Sequence, residues 1–311
     1  MVKLYSFLIA LVCVCSTWHS AQAILVEGAR WTLGKKEILF LFDIHNQIEF
    51  EDDEKKELET FIEILKLYVE ADDRPLYILI EENSNTESVL GSLRKRLAEE
   101  GLSSKNIIVE NIEQRAASVS ASDVLSGFPH HYHYHSRTST TQTCYPQTVS
   151  MQEVLDEYAV IDAYLQECYN SSSDIVKTIH NERLHNITCF RDRIKQRITY
   201  LSTPLDQPLA SVLDTCSPDQ LEEYRNLGKS IFAAASAYMD LYAFHRVITL
   251  SDHYKVALVA GGLHCRWVES SIMGSLDAVP GLDHGVQSSI SRVGKKLCPL
   301  QSGQLLELIL A

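Results

Sequence analysis

The 311-residue chain has no CxxC pair, no extended basic patch and, past residue 23, no apolar run long enough to cross a bilayer. The missing CxxC argues against a structural zinc knuckle or a redox dithiol. Lysine and arginine number 28 against 41 aspartates and glutamates, for a net charge of −13. With no basic patch, neither nucleic acid nor an anionic membrane surface is a fitting partner. A hydrophobic content of 45% and a charged content of 22% are those of an ordinary globular protein. The length allows a sizeable core.

What is present begins with a targeting pattern. Lys3, the apolar run from Phe7 to Cys15 and Ala21-Gln22-Ala23 read as a signal peptide over 1–23, cleaved after Ala23. The run is shorter than the ~20 residues a membrane span needs. The expectation is a secreted or periplasmic protein without a stable membrane span after cleavage, with 24–311 as a single α/β domain. Six cysteines then remain, at 144, 168, 189, 216, 265 and 298. In an oxidising compartment they predict disulfides, chiefly among the four between Cys144 and Cys216. Asn170-Ser-Ser and Asn186-Ile-Thr match the glycosylation acceptor pattern.

The chain is organised around Glu37 to His45. Five consecutive apolar residues, Ile38 to Phe42, predict a strand buried on both faces. It ends at Asp43 and His45, which can bind a metal or move a proton. Ligands sit beyond the carboxyl ends of strands in open parallel sheets. A helix is expected over 51–70, its four opening acids favoured there by the helix dipole, with Leu58, Phe61, Ile62, Leu65 and Tyr68 as its buried stripe. Strands are expected over 76–80, ending in Glu81-Glu82, and over 106–109, followed by Glu110, Glu113 and Arg115. A helix over 87–100, closed by Gly101, lies between them. Alternation of this kind predicts a central, mostly parallel sheet flanked by helices.

Residues 24–34 read as a lead-in and 116–150 as a long loop. The loop carries His130, His131, His133 and His135. They can bind a transition metal or form a mobile polar segment. A helical insert is expected over 151–250, with His245 on an apolar stripe as a core residue or a pocket-lining one. His180 and His185 are five apart, not the four a zinc-protease helix needs. The first pattern returns at 254–259, where a strand leads into Gly261-Gly262-Leu263-His264 and a helix. Glycines there permit a close approach, and His264 falls in the first turn, where anions bind. A last strand is expected over 304–310.

Two imidazoles and a carboxylate at one rim can hold a divalent metal ion. His45, His264, Asp43 and Glu82 are the candidate ligands. Without metal, a histidine beside a carboxylate serves as a general base. The candidate catalytic set is His45, Glu81, Glu82, His264 and Arg115, with Arg115 available for a substrate carboxylate or an oxyanion.

This order resembles the superfamily of TraB-type and TIKI-type hydrolases, erythromycin esterases and ChaN-like haem-binding proteins. The second GxxH of that pattern falls on Gly261 to His264. The first falls on Phe42 to His45, with Phe42 in place of the glycine. The acidic position falls on Glu81 or Glu82 and the arginine on Arg115. The resemblance implies hydrolysis of a small-molecule or peptide substrate, by a divalent metal or a histidine base. Its non-hydrolytic members imply haem or metal capture instead.

Overall fold

The computed structural model describes residues 25–43, 51–81, 93–102, 106–126, 148–276, 278–284 and 302–310. The strands among them are β1 (Leu25–Leu33), β2 (Lys36–Asp43), β3 (Leu76–Ile80), β4 (Ile107–Asn111), β5 (Lys255–Gly261) and β6 (Val279–His284). They form one mixed sheet in the order β4-β3-β5-β2-β1-β6. The pairs β4·β3, β3·β5 and β5·β2 are parallel. The β1 pairings with β2 and β6 are antiparallel.

The helices are α1 (Glu51–Ala71), α2 (Leu93–Glu99), α3 (Ala116–Ser126), α4 (Met151–Ser171), α5 (Asp174–Leu201), α6 (Leu209–Leu213), α7 (Pro218–Thr249), α8 (Gly262–Ser275) and α9 (Ser302–Leu310). They cover both faces of the sheet, so the expected α/β architecture is present. Strand side chains alternate between faces, and β2 shows it. Ile38, Phe40 and Phe42 join the core beneath α3 to α8, whereas Leu39 and Leu41 join the one beneath α1, α2 and α9. All five are at most 2% exposed, as the unbroken apolar run requires.

Three expectations are corrected. Residues 25–33 are a strand, turned back by Gly34-Lys35 with Gly34 at φ 63°. A two-residue hairpin turn favours glycine at such an angle. Residues 116–126 are helix and not loop. The small residues of α3 let it lie against α7, where a Cβ on Gly228 would stand 2.9 Å from Ser126 Oγ and 3.0 Å from Leu125 Cβ. Residues 302–310 are helix and not strand, because Leu305, Leu308 and Ile309 bury one helical stripe on the α1 side. Buried Lys255 donates from Nζ to the Ile309 carbonyl at 2.6 Å.

The helical insert is as expected. Ser150 and Ser217 open α4 and α7 with reciprocal capping boxes to Glu153 and Gln220, which satisfy end donors that would otherwise lack partners. The expected disulfides are absent among the described cysteines. Cys168 sits on α4 and Cys216 in the link between α6 and α7, Cys189 is exposed, and Cys265 lies in the core. Cys216 Sγ donates to the Val212 carbonyl at 3.2 Å, and Cys265 Sγ to the Ala260 carbonyl at 3.4 Å. Apolar packing between α5 and α7 takes the place of staples. Cys144 and Cys298 lie outside the described residues, as do 1–23 and His130 to His135. No described helix is long and apolar enough to cross a membrane.

Candidate active site at the strand ends

The register brings four carboxyl-terminal strand ends together. Asp43 pairs with Gly261, and Ile80 pairs with both Val259 and Asn111. The chain continues past each pairing into ionisable residues. Glu81 N–H donates to the Val259 carbonyl at 2.9 Å, which fixes Glu81 beside the end of β5.

Arg115 is the hub. It is 5% exposed, and a buried guanidinium needs acceptors. Glu113 Oε1 accepts from Arg115 Nε at 2.8 Å, and Glu113 Oε2 from Nη2 at 2.5 Å. Glu81 Oε1 accepts from the same Nη2 at 2.6 Å. The second Glu81 oxygen accepts the Gly261 N–H at 2.9 Å, at the positive end of α8. Immediately after Arg115, α3 begins. Glu157 accepts its Ala117 and Ser118 N–H groups at 2.6 and 3.0 Å, and the Ser118 hydroxyl as well. Burial pushes the Glu157 carboxyl above its usual pKa in spite of these donors.

His264 sits on the first turn of α8 with both ring nitrogens engaged. Nδ1 lies 2.6 Å from Asp240 Oδ1. Nε2 lies 3.5 Å from Arg115 Nη1 and 3.7 Å from Glu81 Oε1. Guanidinium nitrogen can only donate, so it meets Nε2 as a lone pair. The contacts therefore favour the neutral tautomer with its proton on Nδ1, given to Asp240. Asp240 lies on α7, is 4% exposed, and also pairs with Arg183 of α5. Arg183 in turn stacks over Trp267, 4.9 Å from the ring centroid. Arg266, one residue before it on α8, lies over the Phe42 ring at 4.4 Å.

Of the residues singled out in the sequence, Glu81, Arg115, Glu113, Gly261 and His264 meet here. Glu110 does not. Its carboxylate faces α7, where Arg246 grips it at 2.7 and 2.5 Å and the Tyr77 hydroxyl donates at 2.6 Å. A Cβ on Gly262 would meet nothing within 4 Å, so no close backbone approach is visible there. His45, Glu82 and the Asp43 side chain lie outside the described residues. Among the described residues no group of three His, Cys, Asp or Glu could hold a metal ion. His245 is a core residue, its Nε2 2.8 Å from His180 Nδ1.

Asp240 and Arg183 were not foreseen. The signal for Asp240 was available, since residues 231–244 contain no other charged side chain. A lone acid in an apolar helix face must find a cation or a donor. Arg183 gave no such signal on its charge-rich helix.

Comparison of the chain with protein-family models, curated proteins and solved structures finds no match.

Proposed function

We propose that this chain is an exported hydrolase of ester or peptide bonds in which His264 is the general base. The observation that carries the reading is the Asp240 carboxylate on His264 Nδ1, with Nε2 turned to the rim beside Arg115. A carboxylate on one nitrogen orients the ring and stabilises the imidazolium that forms when the other takes a proton. His264 Nε2 removes a proton from water, and the hydroxyl oxygen attacks the scissile carbonyl carbon. Arg115 Nη1 is placed to donate to the oxyanion. Collapse expels the alcohol or amine, which takes the proton back from Nε2. Glu81 and Glu113 hold the guanidinium in place. The resemblance to the TraB, TIKI and erythromycin-esterase group supports the same reading, since its glutamate, arginine and second histidine fall on three residues that meet here. A metal-dependent form would add His45, Asp43 and Glu82 as ligands of a divalent ion that polarises the water.

The test uses the purified, processed protein with chromogenic esters and a peptide mixture, with and without chelator. His264→Ala is expected to lose about a hundredfold or more in kcat while keeping its fold. Loss on chelation identifies the metal-dependent form. Wild-type turnover by His264→Ala rejects the assignment. An absorption band on adding haem, without turnover of any substrate, favours the alternative of a secreted haem- or metal-binding protein. Recovery of a chain beginning at Ile24 outside the cytoplasm tests export.

A further inference from the structure

We propose that Arg183 is the positioning residue of this site, fixing the Asp240 carboxylate so that His264 carries its proton on Nδ1 and its lone pair on Nε2. The inference rests on the general-base reading and names what keeps that base in its working tautomer.

Three helices converge to place this guanidinium. It comes from α5 with its side chain 20% exposed and pairs with Asp240 Oδ2 of α7. Its Cζ lies over the Trp267 ring of α8, 4.9 Å from the centroid. Trp267 follows His264 by three residues, so both side chains leave the same face of that helix. The Trp267 ring also meets Phe244 of α7 edge-on, with centroids 5.9 Å apart. Arg183 therefore bridges the two helices that supply the dyad. Its Nε is buried and finds no acceptor among the described residues. An arginine placed for its own satisfaction would pair that donor. This one is aimed at a single carboxylate.

The chemistry gives that aim a purpose. Arg183 takes one oxygen of Asp240, Oδ2, and so keeps the other, Oδ1, turned to His264 Nδ1. Held that way, Oδ1 accepts the ring proton from Nδ1 and leaves the lone pair on Nε2. Without that grip the carboxylate can rotate away from the ring, and the proton is no longer directed to Nδ1. On Nε2 it would occupy the lone pair that acts as base.

Full-length protein carrying 15N-labelled histidine reads the tautomer directly at neutral pH, without substrate. His264 signals are assigned by their loss in His264→Gln. The wild-type protein is expected to show a protonated Nδ1 and a bare Nε2. In Arg183→Gln the signals move towards protonated Nε2, and kcat falls about a hundredfold with KM little changed. Arg183→Lys, which keeps the charge, restores most of both. Arg197→Gln, on the same helix but paired with Glu223, leaves the tautomer alone. A protonated Nε2 in the wild-type protein overturns the inference with no variant needed. So does an unchanged tautomer in folded Arg183→Gln. Because the tautomer is read without turnover, absence of hydrolysis would sink the proposed function and leave this inference standing.

Discussion

Glu81 gives the Gly261 N–H an acceptor at 2.9 Å, tying the end of β3 to the start of α8. The same carboxylate holds Arg115. Glu81→Gln keeps an oxygen for Gly261 but turns an NH2 group towards a guanidinium. Breaking one partner of a buried ion pair costs about 3–5 kcal/mol, and Glu113 remains to offset part of that. We expect Glu81→Gln to lose roughly 2 kcal/mol in urea unfolding and at least about tenfold in kcat/KM. Full activity in a folded variant would reduce Glu81 to a helix cap.

Asp240→Asn should separate orientation from charge. The amide is nearly isosteric, yet it can present its NH2 to Nδ1 and select the wrong tautomer. A drop of about a hundredfold or more in kcat is expected, with KM little changed. Steady-state kinetics on the best chromogenic ester decides it. Equal loss in KM alone would mean that Asp240 acts on binding.

The paired histidines between α5 and α7 should make the fold sensitive to acid. Burial, and then the neighbouring His180, pull His245 down from 6.5 to about 4. Burial lowers His180 as well. The unfolded imidazole gains a proton below pH 6.5 that the folded one refuses until about pH 4. The His245 contribution is thus complete above pH 6.5 and is lost as pH falls towards 4, on the order of 3 kcal/mol in all. Urea midpoints across that range should fall in the wild-type protein. They should flatten in His245→Leu, and only in part in His180→Gln, which removes the lesser of the two causes.

Asp123 on α3 works in the opposite sense. Burial raises its carboxyl from 3.8 to about 7. Its contribution is present below pH 3.8 and lost as pH rises through 7. Asp123→Asn should therefore stabilise the protein at pH 8 by about 1–2 kcal/mol, a figure reduced for partial exposure. The gain should vanish at pH 3.5 or below. A gain independent of pH would trace to packing.

Much of the site was legible because strand ends concentrate ionisable residues where packing does not ask for them. Glu81 and His264 follow runs of buried apolar residues, and the run announces where each will emerge, whereas Arg115 follows the short apolar run Ile107 to Val109, of which only Ile107 is buried. The apolar strands also foretold both faces of the sheet. Asp240 announced its burial but not its partner. It stands one turn before Phe244 on a buried stretch of α7, and a helical pattern reports which residues are buried but not which neighbour a buried acid will meet. β1 was hidden because its partner lies beyond a two-residue turn, and its sequence, Leu-Val-Glu-Gly-Ala-Arg-Trp-Thr-Leu, lacks strict alternation. The α3 segment reads as loop through its serines and alanines. Those small side chains are what allow it to lie so near α7.

That nearness couples places far apart in the chain. Gly228 leaves just enough room for Ser126, Leu125 and the Ser122 carbonyl, and the other end of the same short helix emerges directly from Arg115. A single added methyl at residue 228 would push α3 along its axis or away from its neighbour. The shift would be transmitted to the guanidinium that faces His264. Reactivity at the rim is thereby open to adjustment by a substitution that touches no reacting group, and Gly228→Ala should reveal it as lowered turnover in a protein that still unfolds cooperatively.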